Sequence, residues 1–506
     1  MARKNLTLDS QYTKPKEAIM KARSVLLFIL ICILSLGAIG FFFPKEGIEF
    51  KVKLQFPNVS DLLAQETTKS KEILLNDYIN NVYKEFQKSK IMKIEDSMRV
   101  YLDFSKTSPS AISYPNNNLS HFDNFFTAMD SAQKQNKVIR IMHYGDSQIE
   151  SDRISGYLRQ ELQEKFGGNG FGLIPAIQII PSISVSQTWN GGLQRYAIWG
   201  FDQNKLSNSR YGLMAQVVQA YNSANISIYS SNQAYERAKD FSKVSLIFGK
   251  NKGEFRANLI ADDETVGEKY VETPVDVVEV FTWNLAKKAK KVRISIKGSA
   301  EIYGIALDGE NGVTVDNNPM RGASGSFFSK IDSLSLSNCY NKMNVDMIIM
   351  QFGGNMMPVI SSNEKVDNYA KTMAKEIQFF HKVNPNAALL YIGPSDMSRN
   401  IRGKMITWPY LKELNIALKQ VALENGAAYW DMFEAMGGEN SMPVWVKSSL
   451  AGADYIHFSS KGAKKISEML FFALMNDYNA SKLRRKIHSI KRETFFNNTM
   501  SSQVTN

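Results

Sequence analysis

A serine hydroxyl becomes a useful nucleophile at neutral pH only with a base beside it, most often a histidine that a carboxylate holds in place. The sequence offers few ways to assemble that set. It has five histidines: His121, His143, His381, His457 and His488. His457 follows Asp454 by three residues in Ala453-Asp454-Tyr455-Ile456-His457-Phe458-Ser459, and a tight turn there can bring the carboxylate against the imidazole. A D-x-x-H alone is a weak signal, since short Asp–His spacings are frequent by chance. Its position after the last strand-like run, just before the final helical pattern, strengthens it. The matching serine is Ser147, in His143-Tyr144-Gly145-Asp146-Ser147-Gln148, directly after the apolar run Val138-Ile139-Arg140-Ile141-Met142. A helical pattern follows over 154–166. Strand, tight turn, helix places the serine at a strand's carboxyl end, where α/β domains bind their ligands. Asp146 reads as hydrogen-bonding support under the turn, His143 as a packed core histidine and His381 as a helix-end residue.

The elements that must position these residues are legible as texture. A helical pattern over 69–94 and a Ser/Pro/Asn-rich stretch over 105–120, read as a linker, precede the change of character at His121. Between about 181 and 297, short β-rich runs with frequent turn residues suggest a β-sandwich. Helix–strand alternation then resumes: strands at Val345–Gln351, 387–392 and 427–430, helices at 365–381, 409–425 and 461–474. The expectation is an α/β domain interrupted by an inserted β domain. Trp189, Trp199 and Trp283 flank or lie within the insertion, either as core or as a platform on which sugars stack.

A length of 506 residues calls for more than one domain. The net charge of +12 comes without any nucleic-acid motif, so no nucleic-acid partner is expected and a basic exterior suits an anionic glycan or lipid equally well. The two cysteines, Cys32 and Cys339, form no metal-binding pattern. Residues 24–43 carry no charge, about the length of a bilayer-spanning helix, and the basic residues before them place the N-terminus in the cytoplasm. The segment therefore reads as a single-pass inner-membrane anchor with the catalytic part extracytoplasmic, in the periplasm. A cleaved signal peptide is the competing reading. The resulting division is a leader (1–23), a transmembrane anchor (24–43), a stalk (44–120), the α/β domain in two parts (121–186 and 299–478), the inserted β-sandwich (187–298) and a basic, solvated tail (479–506).

Four blocks in order give the chain a specific resemblance. Gly145-Asp146-Ser147, Arg321-Gly322-Ala323, Gly353-Gly354-Asn355 and Asp454-x-x-His457 are similar to the blocks of SGNH hydrolases, although Met356 stands where many members carry Asp. The run GDSQIESDRISGYLRQELQEKFGGNGFG, followed by a β insertion, resembles the peptidoglycan O-acetylesterase branch, with its carbohydrate-binding-like module. The resemblance implies a three-layer α/β/α, flavodoxin-like fold. It also implies a Ser147–His457–Asp454 triad and an oxyanion hole formed by the Ser147 and Gly322 backbone N–H groups and the Asn355 amide. The activity it implies is removal of O-acetyl groups from an envelope glycan, without metal or organic cofactor. Two alternatives stay open: O-acetyl transfer with the same residues, served by a membrane-bound acyl exporter, and a non-catalytic glycan-binding role.

Overall fold

The computed structural model describes residues 22–42, 48–49, 53–54 and 68–503. The chain divides into two units, 1–89 and 90–506. The first contains a helix, Ala22–Phe42, a two-residue antiparallel pairing of Ile48–Glu49 with Lys53–Leu54, and the start of the helix Thr68–Thr107. Among the described residues no helix is long and apolar enough to cross a membrane. The expectation of a transmembrane helix over 24–43 therefore does not hold, nor does the single-pass inner-membrane placement that rested on it. Residues 1–21 of the expected leader, and most of 43–67, lie outside the described residues.

The second unit is organised around a six-stranded sheet. Five parallel strands occur in the chain as Val138–Gly145, Gly312–Pro319, Val345–Gln351, Ala388–Ile392 and Ala428–Trp430, and lie in the spatial order second, first, third, fourth, fifth. This is the flavodoxin-like order, in which ligands bind where the strand order reverses, beyond the carboxyl end of the first strand. All eight residues of Val138–Gly145 are buried, because both faces of the sheet are covered. Met142 and Tyr144 pack on one face with the helices Ser333–Met343, Asn363–Val383 and Leu411–Glu424. Ile139 and Ile141 pack on the other with Asp123–Ser131, Ser155–Phe166 and the start of Ser460–Gln503. In Asn363–Val383 the buried residues Val366, Tyr369, Ala370, Met373, Ile377 and Phe380 recur at helical spacing. Three layers result.

The stretch read as a linker is part of this body. Ile112–Ser113 adds a sixth, antiparallel strand beside Ala428–Trp430, and the buried Tyr114 hydroxyl donates to Asp477 Oδ2 at 2.6 Å. The tail differs from expectation in the same way. Helix Ser460–Gln503 runs through it, and Arg484 and Arg485 pair with Asp123 and Asp130.

The β-rich insertion is one nine-stranded antiparallel sheet, whose first and last strands are Gly172–Ile174 and Ala300–Asp308. It curls until its two ends meet, where Trp283 Nε1 donates to Gly267 O at 3.0 Å, and it encloses an apolar core of its own. Trp283 lies in that core. A buried charge cluster joins this sheet to the parallel one: Arg140 pairs with both Asp316 and Asp308, and Asp316 Oδ1 also accepts from Leu173 N at 2.8 Å.

Candidate active site

The first parallel strand ends at Gly145, and the chain turns at once into the short 3₁₀ turn Ser147–Ile149. Asp146 caps that turn, its Oδ1 accepting from Gln148 N at 2.9 Å. Its Oδ2 accepts from Asn355 Nδ2 at 3.0 Å. The support role read for Asp146 is what this geometry describes. Burial lifts its carboxyl to about 6, against the opposing pull of the Gln148 N–H and the Asn355 amide.

Facing the turn is the loop before the last helix. Ser147 Oγ lies 2.8 Å from His457 Nε2, and His457 Nδ1 lies 2.7 Å from Asp454 Oδ2. Asp454 Oδ1 accepts from the backbone N–H groups of Ile456 and His457 at 3.0 and 3.1 Å, so one carboxylate both shapes the turn and orients the ring. Partial burial lifts the Asp454 carboxyl, but these three donors outweigh it and hold the group below its ordinary range. With Nδ1–H donating to Asp454, Nε2 is left as an acceptor for the serine hydroxyl. That tautomer is the one general-base chemistry requires.

Ser147 and His457 line a cavity of about 150 Å3, whose other walls include Phe352, Asn355, Pro394, Met397 and Trp408. Its mostly apolar walls suit a small acyl group. Asn355 stands in the turn Gly354–Met356 at the end of the third strand, and donates both to Asp146 and to Ala323 O, the latter at 3.1 Å. Gly322 occupies an exposed turn after the second strand with φ of 73°, a conformation that favours glycine. The two residues before it are bonded to the Ser147 segment. Met320 N donates to Gly145 O at 2.8 Å, and Arg321 forks onto Glu150. No hydrogen bond links Gly322 itself to Ser147, Asp454 or His457.

Two residues that the sequence reading passed over hold the halves together. Gln148 Nε2 donates to Ile456 O at 2.7 Å, and its Oε1 accepts from Phe458 N at 3.5 Å. Arg153 donates to Ser147 O at 2.6 Å and to Phe458 O at 2.9 Å. His457 is thus bracketed on both sides by bonds from the Ser147 segment. The available signal was the position of both residues within Gly145-Asp146-Ser147-Gln148 and its continuation to Arg153. Nothing in a single sequence says which carbonyl a side chain will meet.

His143 is fully buried, between Gln351 Oε1 at 3.0 Å and Ser155 Oγ at 2.9 Å, and burial lowers its pKa to about 4. It is a neutral core residue beneath the site. Among the described residues no cluster of His, Cys, Asp or Glu could hold a metal ion.

Strand order, serine turn and histidine loop together define an SGNH-like α/β fold carrying a hydrogen-bonded Ser–His–Asp relay. No protein-family model matches the chain, and no curated protein matches it. Solved structures do. A peptidoglycan O-acetylesterase superposes with a TM-score of 0.56 at 20% identity, over 71% of this chain and 96% of that one. A family two carbohydrate esterase from Clostridium thermocellum, in complex with cellohexaose, matches over 56% of this chain and 98% of its own, at 10% identity and a TM-score of 0.25. An acetylxylan esterase from Geobacillus stearothermophilus covers 33% of this chain and 73% of its own, with 16% identity and a TM-score of 0.22. The first likeness shows the fold, and the other two are too distant to argue from.

Proposed function

We propose that this protein is a serine esterase that removes O-acetyl groups from an acetylated glycan. The observation that carries the reading is the continuous relay from Ser147 Oγ through His457 to Asp454, opening on a cavity of acyl size. The likeness in fold to a peptidoglycan O-acetylesterase supports an acetylated glycan as substrate.

In the forward step His457 Nε2 takes the Ser147 proton while Oγ attacks the acetyl carbonyl, and Asp454 stabilises the imidazolium. The tetrahedral oxyanion is received by the backbone N–H groups of Ser147 and Gly322 and by the Asn355 amide. Asn355 must give up its bond to Ala323 O, or share it, to serve as the third donor. As the tetrahedral intermediate collapses, the bond from the carbonyl carbon to the sugar oxygen breaks, imidazolium protonates that oxygen so that the sugar leaves as its alcohol, and the acetyl–enzyme forms. Water, deprotonated by His457, then releases acetate and restores the serine.

The test is acetate release from acetylated peptidoglycan and acetylated xylan, with the Ser147→Ala protein as control. Retention of more than a few per cent of the activity by a folded Ser147→Ala protein would remove the nucleophile assignment. The same experiment, run with an acetyl-ester donor and unacetylated glycan, separates hydrolysis from transfer. Free acetate is the expected product, and accumulation of acetylated glycan would make the enzyme a transferase.

A further inference from the structure

A second cavity, of about 50 Å3, lies between the curled sheet and the segment that follows the nucleophile. Acyl chemistry does not use it. Its walls include Asp152 and the strand end Asn317–Pro319 on one side, with Gln178, Arg195 and Trp199 on the other. Asn318 is 2% exposed, and neither its Oδ1 nor its Nδ2 has a hydrogen-bond partner. Buried amides are rarely left with both ends unpaired, because each lost bond carries a desolvation cost. Gln178 Oε1 and Arg195 Nη2 are buried and unpartnered in the same place.

Arg195 is the informative member. Its guanidinium lies 5.3 Å from the Trp199 ring centre and donates to Gln216 Oε1 and Gln203 Oε1, both neutral acceptors. Among the described residues it forms no ion pair with a carboxylate, and burial pulls its pKa down to about 10 against the weaker opposing pull of the exposed Asp202. The nearby Asp152 cannot supply the missing charge, since Arg159 and Ser184 already occupy it. A half-buried cation beside unpaired amides, opening on a cavity, is a set of donors awaiting an anion.

We propose that this cavity is a ligand subsite taking the carboxylate of an acidic sugar, with Arg195 and Asn318 donating to it and Gln178 accepting from a neighbouring hydroxyl or amide. The volume admits a group of carboxylate size, not a sugar ring. The Asn317–Pro319 wall is fastened to the segment that carries Ser147: Asn317 Nδ2 donates to Ile149 O at 2.8 Å, and Met320 N, next in the chain, to Gly145 O at 2.8 Å. The subsite thus deepens the esterase reading, on which it rests for the expectation that one glycan serves both cavities.

The experiment titrates the Ser147→Ala protein calorimetrically with N-acetylmuramic acid and with N-acetylglucosamine, which lacks the carboxylate-bearing arm. The acidic sugar should bind about tenfold more tightly, and Arg195→Gln should remove that preference. Equal affinities, an unchanged preference in Arg195→Gln, or no binding of either sugar at millimolar concentration, leaving only water in the cavity, would overturn the proposal. Asn318→Leu replaces the unpaired amide by an apolar group of similar shape. It should weaken binding of the acidic sugar while melting no lower than its parent. A lower melting temperature with binding intact would mark Asn318 as structural and count against the subsite. Turnover of a small acetyl ester by the wild-type protein is measured in parallel. Sugar preference without turnover sinks the esterase reading and leaves the subsite, and turnover without preference does the reverse.

Discussion

The two halves of the candidate site are built on opposite principles. Ser147 opens the turn that follows a strand whose eight residues are all buried, capped by a buried aspartate and braced below by His143 and the Arg140 charge cluster. His457 and Asp454 stand on a loop without regular structure, their side chains 37% and 48% exposed. The strand is held by packing, which is spread over many contacts. The loop is held by a handful of named bonds: Gly452 N to His457 O at 2.8 Å within the loop, and the Gln148 and Arg153 clamps across it. Damage to the strand side should therefore unfold the protein, whereas damage to the loop side should misplace the base in a protein that stays folded.

The chemical pair itself comes first, because its loss is felt equally from either side. Ser147→Ala, His457→Ala and the double variant should each lower turnover of a small acetyl ester by about 10⁴-fold or more, with no further loss in the double variant. Additive losses, measured on folded protein, would mean that the two residues do not act as a unit.

Next in size is a lesion on the strand side. Arg140→Met leaves Asp308 and Asp316 buried without their cation. Breaking a buried pair from one side costs about 3–5 kcal/mol. Urea unfolding should show that loss, and the fraction still folded should retain its turnover. Lost turnover in protein that remains folded would contradict the separation of roles.

The buried groups under Ser147 also predict a pH signature. His143 has a folded pKa of about 4 against 6.5 when free, so its contribution is fully present above 6.5 and is lost as pH falls towards 4. Asp146 has the opposite sign: its folded pKa of about 6 exceeds 3.8, so its contribution is present below 3.8 and is lost as pH rises through 6. The two largely offset each other in the wild type. His143→Asn removes one of them, so the variant should gain on the wild type by as much as about 3 kcal/mol between pH 6.5 and 4. A difference between the two proteins that does not change with pH would refute the neutral, buried imidazole.

The smallest effect tests the loop. Arg153→Ala and Gln148→Ala should each lower kcat about 10- to 100-fold, by letting His457 drift, with little change in KM or melting temperature. A large drop in melting temperature instead would make the clamp part of the packed core and erase the contrast.

Much of this was already legible in local pattern. The apolar run 138–142 reads as a strand and 365–381 as a helix, and the structure extends them to Val138–Gly145 and Asn363–Val383. Asp454 and His457 could be paired from sequence since three residues form one turn, and a turn is a local object. Local pattern misled where context overrides it. The Ser/Pro/Asn-rich stretch over 105–120 looks like a linker, yet Ile112 and Tyr114 are buried because an open sheet edge and Asp477 were there to receive them. An uncharged run over 24–43 likewise suggested a membrane span that the described residues do not supply.

What the sequence by itself determined is therefore the set of reactive residue types and the elements that carry each one, since period and turn chemistry act over a few residues. Only the tertiary structure decided that Ser147 meets a histidine 310 residues away and that Gln148 and Arg153 fasten them together. It alone decided that Arg195 and Asn318 face one cavity with atoms left unpaired. The reason is physical: a hydrogen bond between distant segments depends on where packing brings both backbones, and that position is a property of the whole core, not of either segment.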